Sequence, residues 1–257
     1  MYDSVIALAR GVFAGEGLKF TVTGAENVPR TGGAVLMMNH VGYMDFTYAG
    51  LACRPAKRLV RFMAKAEVFD HPVSGPLMRG MHHIPVDRAA GAGSYRVAVE
   101  ALAAGEIIGV FPEATISRSF ELKGFKSGAA RMALEAGVPV LPTIIWGSQR
   151  VWTKGHPKRL GRTNTPISVD VAEPLAAEGS AEELTAALHK RMSEQLLKVQ
   201  DAYPEHPAGA YWVPARLGGS APALEEAEAL DREETKARVA ARRAKMDKRK
   251  DKRKDKR

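Results

Sequence analysis

The sequence predicts an α/β fold: a single domain with a central, mostly parallel sheet flanked by helices, followed by a basic C-terminal tail that is disordered or helical. Three observations predict it. Between residues 34 and 171, short apolar β-rich runs alternate with helical patterns, the order expected of strand–helix–strand units. Several of those runs are apolar at every position, as strands covered by helices on both faces are. The helical patterns stop at glycines, which close helices by taking up the left-handed conformation.

Element by element, DSVIALARGVFAG (3–15) gathers Val5, Ile6, Ala9, Val12 and Phe13 on one side. It reads as a helix docked on the domain, with a membrane-surface helix as the alternative. AVLMM (34–38), RLVRFMA (58–64), IIGVF (107–111), VPVLPTIIW (138–146) and ISVDV (167–171) read as strands. SYRVAVEALAAG (94–105) and SGAARMALEAG (127–137) read as helices, each ended by its last glycine. In SAEELTAALHKRMSEQLLKVQ (180–200), Ser180 is the expected N-cap and Glu183 completes a capping box. Its Leu184, Leu188 and Leu196 form a packing stripe. The domain is expected to cover residues 1–202. Residues 203–224, rich in Pro, Gly and Ala, read as an extended segment that packs back through Tyr211 and Trp212. Residues 225–257 form a charged tail, acidic first and then basic. That sign reversal admits a solvated helix or an intramolecular clamp.

The charge is local. The whole chain sums to +9, yet Lys236–Arg257 holds thirteen Lys and Arg against three Asp, a net of +10, so residues 1–235 sum to −1. No aromatic residue interleaves the basic run, which argues against specific nucleic-acid recognition; an anionic bilayer or plain solvation remains. A single cysteine, Cys53, excludes an internal disulfide and a thiolate zinc site, and fits a reducing cytosol. No secretory leader is evident, so no secretion is expected. The longest apolar run, VPVLPTIIW, is far short of the ~20 residues that cross a bilayer.

The chemistry gathers around MMNHVGYMDFTYAG (37–50), where His40 and Asp45 follow directly on an apolar strand. A histidine is a natural base near neutral pH, and a carboxylate on its other ring nitrogen fixes the tautomer and stabilises the imidazolium. Further on stand HHIPVDR (82–88), FPEATISRS (111–119), FKSGAARMA (125–133) and GVPVLP (137–142). In this order, NHVGYMD, VDR, FPEAT and VPVLP resemble the four blocks of the glycerolipid acyltransferase family, which includes the 1-acylglycerol-3-phosphate acyltransferases. The resemblance runs from about residue 17 to about residue 175.

The resemblance implies a catalytic pair, His40 as base and Asp45 as its orienting partner, with Asn39 shaping the turn. It places Lys65 and Arg88 at basic positions around the acceptor phosphate and Glu113 in the acceptor-binding block, where Pro112 and Thr115 shape the loop. A buried glutamate bonding loop amides is the alternative for Glu113. The expected substrate-binding set is therefore Lys65, Arg88, Glu113, Thr115 and Arg118. The third block departs from the family pattern. Ala114 stands where the family has glycine, and Ile116 where it has arginine, with Arg118 two positions late. Either Arg118 bends back to the phosphate or the acceptor differs. Lys123 and Lys126 read as groove-lining or, more commonly, solvated.

The function implied is acyl transfer from acyl-CoA or acyl carrier protein to 1-acylglycerol 3-phosphate, giving phosphatidic acid without metal or cofactor. The implied setting is cytoplasmic, at the inner face of the plasma membrane, where the lipid acceptor lies. Rival readings are another acceptor, a thioesterase in which water replaces the alcohol, or a tether defined by the tail. GAGSYR lacks the last glycine of a dinucleotide loop, and neither GxxxxGK nor GxSxG occurs. Adjacent His82 and His83, on a strand, would point opposite ways and make no zinc pair.

Overall fold

The computed structural model describes residues 2–87 and 92–254; for residues 238 and 241–254 the description is of the backbone. The elements are α1 (Tyr2–Gly15), β1 (Lys19–Thr23), β2 (Ala34–Met38), α2 (Asp45–Ala52), β3 (Val60–Lys65), α3 (Ala66–Phe69), α4 (Ser74–Gly80) and β4 (Ile84–Val86). They continue with α5 (Ala92–Ala103), β5 (Ile107–Val110), α6 (Gly128–Ala136), β6 (Val140–Trp146), β7 (Pro166–Val171), α7 (Ala181–Asp201) and α8 (Leu224–Lys254).

The strands form one sheet in the order β1-β7-β6-β2-β5-β3-β4. Every pairing is parallel except that of β6 with β7. Side chains alternate between the two faces. Val35 and Met37 of β2, Ile108 and Val110 of β5, and Ile144 and Trp146 of β6 pack with Leu102 of α5, Met132 of α6 and Leu188 of α7. Ala34, Leu36, Met38, Ile107, Leu141 and Ile145 point the other way, onto Phe13 of α1 and Tyr48 of α2. Both faces are covered, which is why these runs are apolar throughout.

Ser180 and Glu183 make the reciprocal capping box at the start of α7. Trp212 and Val213 are buried, and the Arg150 guanidinium lies 4.3 Å from the Trp212 ring centroid, so the segment after α7 returns to the domain. The backbone of the tail is helical from Leu224 to Lys254. Two strands carry little sequence signal. β1, KFTVT, is a mostly exposed edge, and β4 has three residues, one of them a proline. The strand placed at 82 begins only at Ile84, because His82 occupies a left-handed turn at φ 57. Among the described residues, no helix is long and apolar enough to cross a membrane.

Candidate active site

Strand β2 lies between β5 and β6, so the residues after Met38 emerge at the carboxyl ends of parallel neighbours, where α/β sheets open a crevice. Buried Asn39 accepts the Ile145 N–H at 2.7 Å and donates to the Ile145 carbonyl at 3.0 Å, which pins the turn to β6. His40 Nδ1 lies 2.9 Å from Asp45 Oδ2, and that oxygen also accepts the Val41 and Gly42 amides at 2.8 Å each. A carboxylate only accepts, so Nδ1 carries the proton and Nε2 is the basic nitrogen. Three donors on one buried oxygen leave the carboxylate no freedom to turn. The ring is further fixed by stacking on Phe111, with centroids 4.1 Å apart. Among the described residues none hydrogen-bonds Nε2, and His40 lines the cleft.

The turn needs glycine at position 42. A Cβ there would stand 2.2 Å from Ser148 Oγ and 3.1 Å from the Ser148 carbonyl.

Glu113 does not reach the cleft. Its Oε1 accepts the His40 amide at 2.8 Å and its Oε2 the Lys123 amide at 3.1 Å. It is absent from the cleft lining, so the geometry is that of a buried glutamate bracing loop amides rather than an acceptor ligand. Burial pushes its carboxyl up from 4.5 to about 8, against the opposing pull of the two amides and the Lys123 charge. The folded protein therefore holds more protons than the unfolded chain between those values, and stability falls as pH rises through that window. Glu113→Gln cannot ionise. Its stability relative to wild type, from urea denaturation at a series of pH values, is expected to rise with pH across the window and to level off above it.

Ala114 sits at φ 62. The loop is left-handed at the position where the resemblance leads one to expect glycine, and it carries the strain of a Cβ there. Ala114→Gly is expected to raise unfolding stability by roughly 1 kcal/mol, the left-handed penalty less the gain in unfolded-chain freedom.

The cleft has a volume of about 610 Å³. Phe46, Phe62, Met63, Val110 and Met132 give it an apolar lining, and Lys65, Thr115, Lys126 and Lys154 supply polar groups. An apolar cavity of about 70 Å³ under α1 shares Phe46 and Phe62 with it. Lys65, at the end of β3, pairs with Glu67 at 3.1 Å. Arg88 lies outside the described residues. Arg118 is not itself in the cleft lining; its guanidinium meets Asp231 at 3.4 Å and, on the cleft-lining Glu234, Oε2 at 2.9 Å, both on α8. Lys123 is not solvated either. It is 6% exposed and reaches Asp231 at 3.0 Å. Of the two readings of the acidic stretch, the clamp describes this contact.

His82 is exposed and does not line the cleft. His83 packs against Tyr2 and Phe62 and accepts the Phe62 amide at Nδ1, and burial pushes its imidazole down to about 4. Burial pushes the Cys53 thiol up to about 12, so it is no nucleophile at neutral pH. Among the described residues, no group of three His, Cys, Asp or Glu could hold a metal ion. Phe111, Lys154, Asp231 and Glu234 belong to the site without having been legible as such. For the last two the only signal was the acidic stretch ahead of the basic run.

A family model described as Acyltransferase matches residues 19–146. The 1-acyl-sn-glycerol-3-phosphate acyltransferase of Bacillus subtilis is 29% identical over 173 residues, 66% of this chain and 84% of that protein. The enzyme of the same name from Borreliella burgdorferi is 31% identical over 144 residues, 54% of this chain and 55% of its own length. The crystal structure of the 1-acyl-sn-glycerophosphate acyltransferase PlsC from Thermotoga maritima shares the fold, with a TM-score of 0.67 at 23% identity over 79% of this chain and 81% of that one. The family match runs from β1 to β6; NHVGYMD follows the carboxyl end of β2 and FPEAT that of β5, while VPVLP runs into the first half of β6. By the match over residues 19–146 and by these relatives, the chain is similar in sequence to the acyltransferase family that includes the 1-acyl-sn-glycerol-3-phosphate acyltransferases.

Proposed function

We propose that this chain moves a fatty acyl group from acyl-CoA or acyl carrier protein to the free hydroxyl of 1-acylglycerol 3-phosphate, giving phosphatidic acid. The observation that carries the reading is the His40–Asp45 pair, 2.9 Å apart, with His40 on a cleft whose lining is mostly apolar and includes Lys65, Lys126 and Lys154. His40 Nε2 takes the hydroxyl proton as the alcohol oxygen attacks the thioester carbonyl. Asp45 stabilises the imidazolium that results. Collapse of the tetrahedral intermediate breaks the carbon–sulfur bond, and the imidazolium returns its proton to the departing thiolate. The thioester is already activated, so no acyl-enzyme is needed. The apolar lining suits the acyl chains and the lysines suit the phosphate.

The same reading places the chain at the inner face of an anionic membrane, peripherally. Leu8 and Val12 on α1 are exposed at 70% and 49%, and the +10 run of Lys236–Arg257 attracts acidic lipid. One observation favours a second reading, the same chemistry on another acceptor. Ile116 holds the family's arginine position and Arg118 is engaged by α8. A panel of acceptors offered against one acyl-CoA decides. Turnover is expected to be highest with 1-acylglycerol 3-phosphate. A preference for a phosphate-free alcohol overturns the first choice, and CoA release undiminished without any acceptor overturns acyl transfer itself.

A further inference from the structure

Helix α8 brings two carboxylates to one face, three residues apart, and sets them among three cations. Asp231 Oδ1 lies 2.7 Å from Lys154 Nζ and 3.4 Å from Arg118 Nε, and its Oδ2 lies 3.0 Å from Lys123 Nζ and 3.4 Å from Thr115 Oγ1. Glu234 Oε2 lies 2.6 Å from Lys154 Nζ and 2.9 Å from Arg118 Nη2. Thr115, Lys154 and Glu234 line the same cleft as His40. The helix therefore closes on part of the cleft that His40 lines.

We infer that Lys123, Lys154 and Arg118 form an anion site at the cleft, occupied by the chain's own Asp231 and Glu234, which a phosphate-bearing ligand must displace. The inference rests on the acyltransferase reading only for the identity of that ligand.

Lys123 is 6% exposed, and a charged amine so buried needs an anion beside it. Asp231 supplies one now, and a phosphate oxygen serves as well. The two carboxylates bring the same formal charge as a phosphate dianion. The attachment of α8 is also electrostatic rather than apolar. Among its described side chains Ala227 alone is fully buried, while Leu230 and Val239 stay 45% and 49% exposed. A contact held by charge with so little apolar area yields to an anion that can take the same cations. Burial raises the Asp231 carboxyl, and the bonds and charges of Lys154 and Lys123 outweigh that and leave it below the usual range, so the carboxylate is ionised where it meets them.

The same helix runs on into the basic residues of Lys236–Arg257. An anionic bilayer that draws the basic run toward itself pulls the carboxylates from the cations, which couples access to the site to the surface where the lipid acceptor lies.

The test uses the full chain and inorganic phosphate as probe, read by calorimetry, with the acceptor KM measured beside it. Asp231→Asn/Glu234→Gln is expected to bind phosphate about tenfold tighter, with a matching fall in KM, because no internal competitor remains. Glu225→Gln/Glu226→Gln, on exposed positions of the same helix, is expected to match wild type. Phosphatidylglycerol vesicles are expected to reproduce the tightening in wild type and to add nothing to the double variant; phosphatidylcholine vesicles should do neither. Equal or weaker phosphate binding by the double variant overturns the inference, and a wild type indifferent to phosphatidylglycerol overturns release at the bilayer. Should the double variant fold poorly by circular dichroism, Glu234→Gln alone answers the same question. Tighter phosphate binding without acyl transfer to any acceptor would uphold the anion site and overturn the catalytic reading. Acyl transfer with unchanged phosphate affinity and KM would do the reverse.

Discussion

Replacing His40 by alanine is expected to lower acyl transfer by about 10²–10⁴-fold, or about 3–5 kcal/mol of barrier, the contribution of a positioned general base. The fall should appear in kcat, measured as CoA release in the presence of acceptor. KM should change little, because the lysines and the apolar lining remain. The fold should survive, since the ring is 19% exposed and stands at the cleft rather than in the core. A residual rate is expected, because orientation of an already activated thioester is itself catalytic. Near wild-type turnover in a folded His40→Ala would remove the base from the mechanism and leave the cleft only a binding site.

Asp45→Asn is expected to cost nearly as much in kcat, again of the order of 10²–10⁴-fold, for a different reason. The carboxylate does not line the cleft; it is fully buried and acts through His40. Asparagine can keep an oxygen on the Val41 and Gly42 amides, so the turn should stand while the charge that stabilises the imidazolium is lost. Asp45→Ala separates the two roles. It also strands those two amides, at about 1–3 kcal/mol each, and should lower the unfolding midpoint where asparagine does not. If Asp45→Asn kept its kcat, the pair would be a structural brace for the turn and no more. Equal losses of stability in both variants would say the same.

The sequence was most legible where one local rule decided the outcome. AVLMM became β2 over the predicted residues, because a strand covered on both faces needs apolar side chains at every position. Ser180 and Glu183 formed their capping box, which depends only on residues three apart. It was least legible at β1 and β4, whose residues have no apolar run and pair only because β7 and β3 offer an open edge. The three short helices α2, α3 and α4 follow the same pattern: four to eight residues hold too little periodicity to be read.

Within the site the division is the same. The five-residue spacing of His40 and Asp45 lets one tight turn bring them together, so the chain alone determined the pair, and the order of the blocks carried the resemblance to the acyltransferases. Only the tertiary structure decided which groups surround it. Glu113 turned inward to the amides of His40 and Lys123, and Arg118 paired with the two carboxylates of α8. Lys123 and Lys154, thirty-one residues apart in sequence, converged on a carboxylate from near the end of the chain. Charge carries no address along a polypeptide. Which cation meets which anion is fixed when the sheet and its loops bring them within a few ångströms, and that distance is what the linear order of residues does not contain.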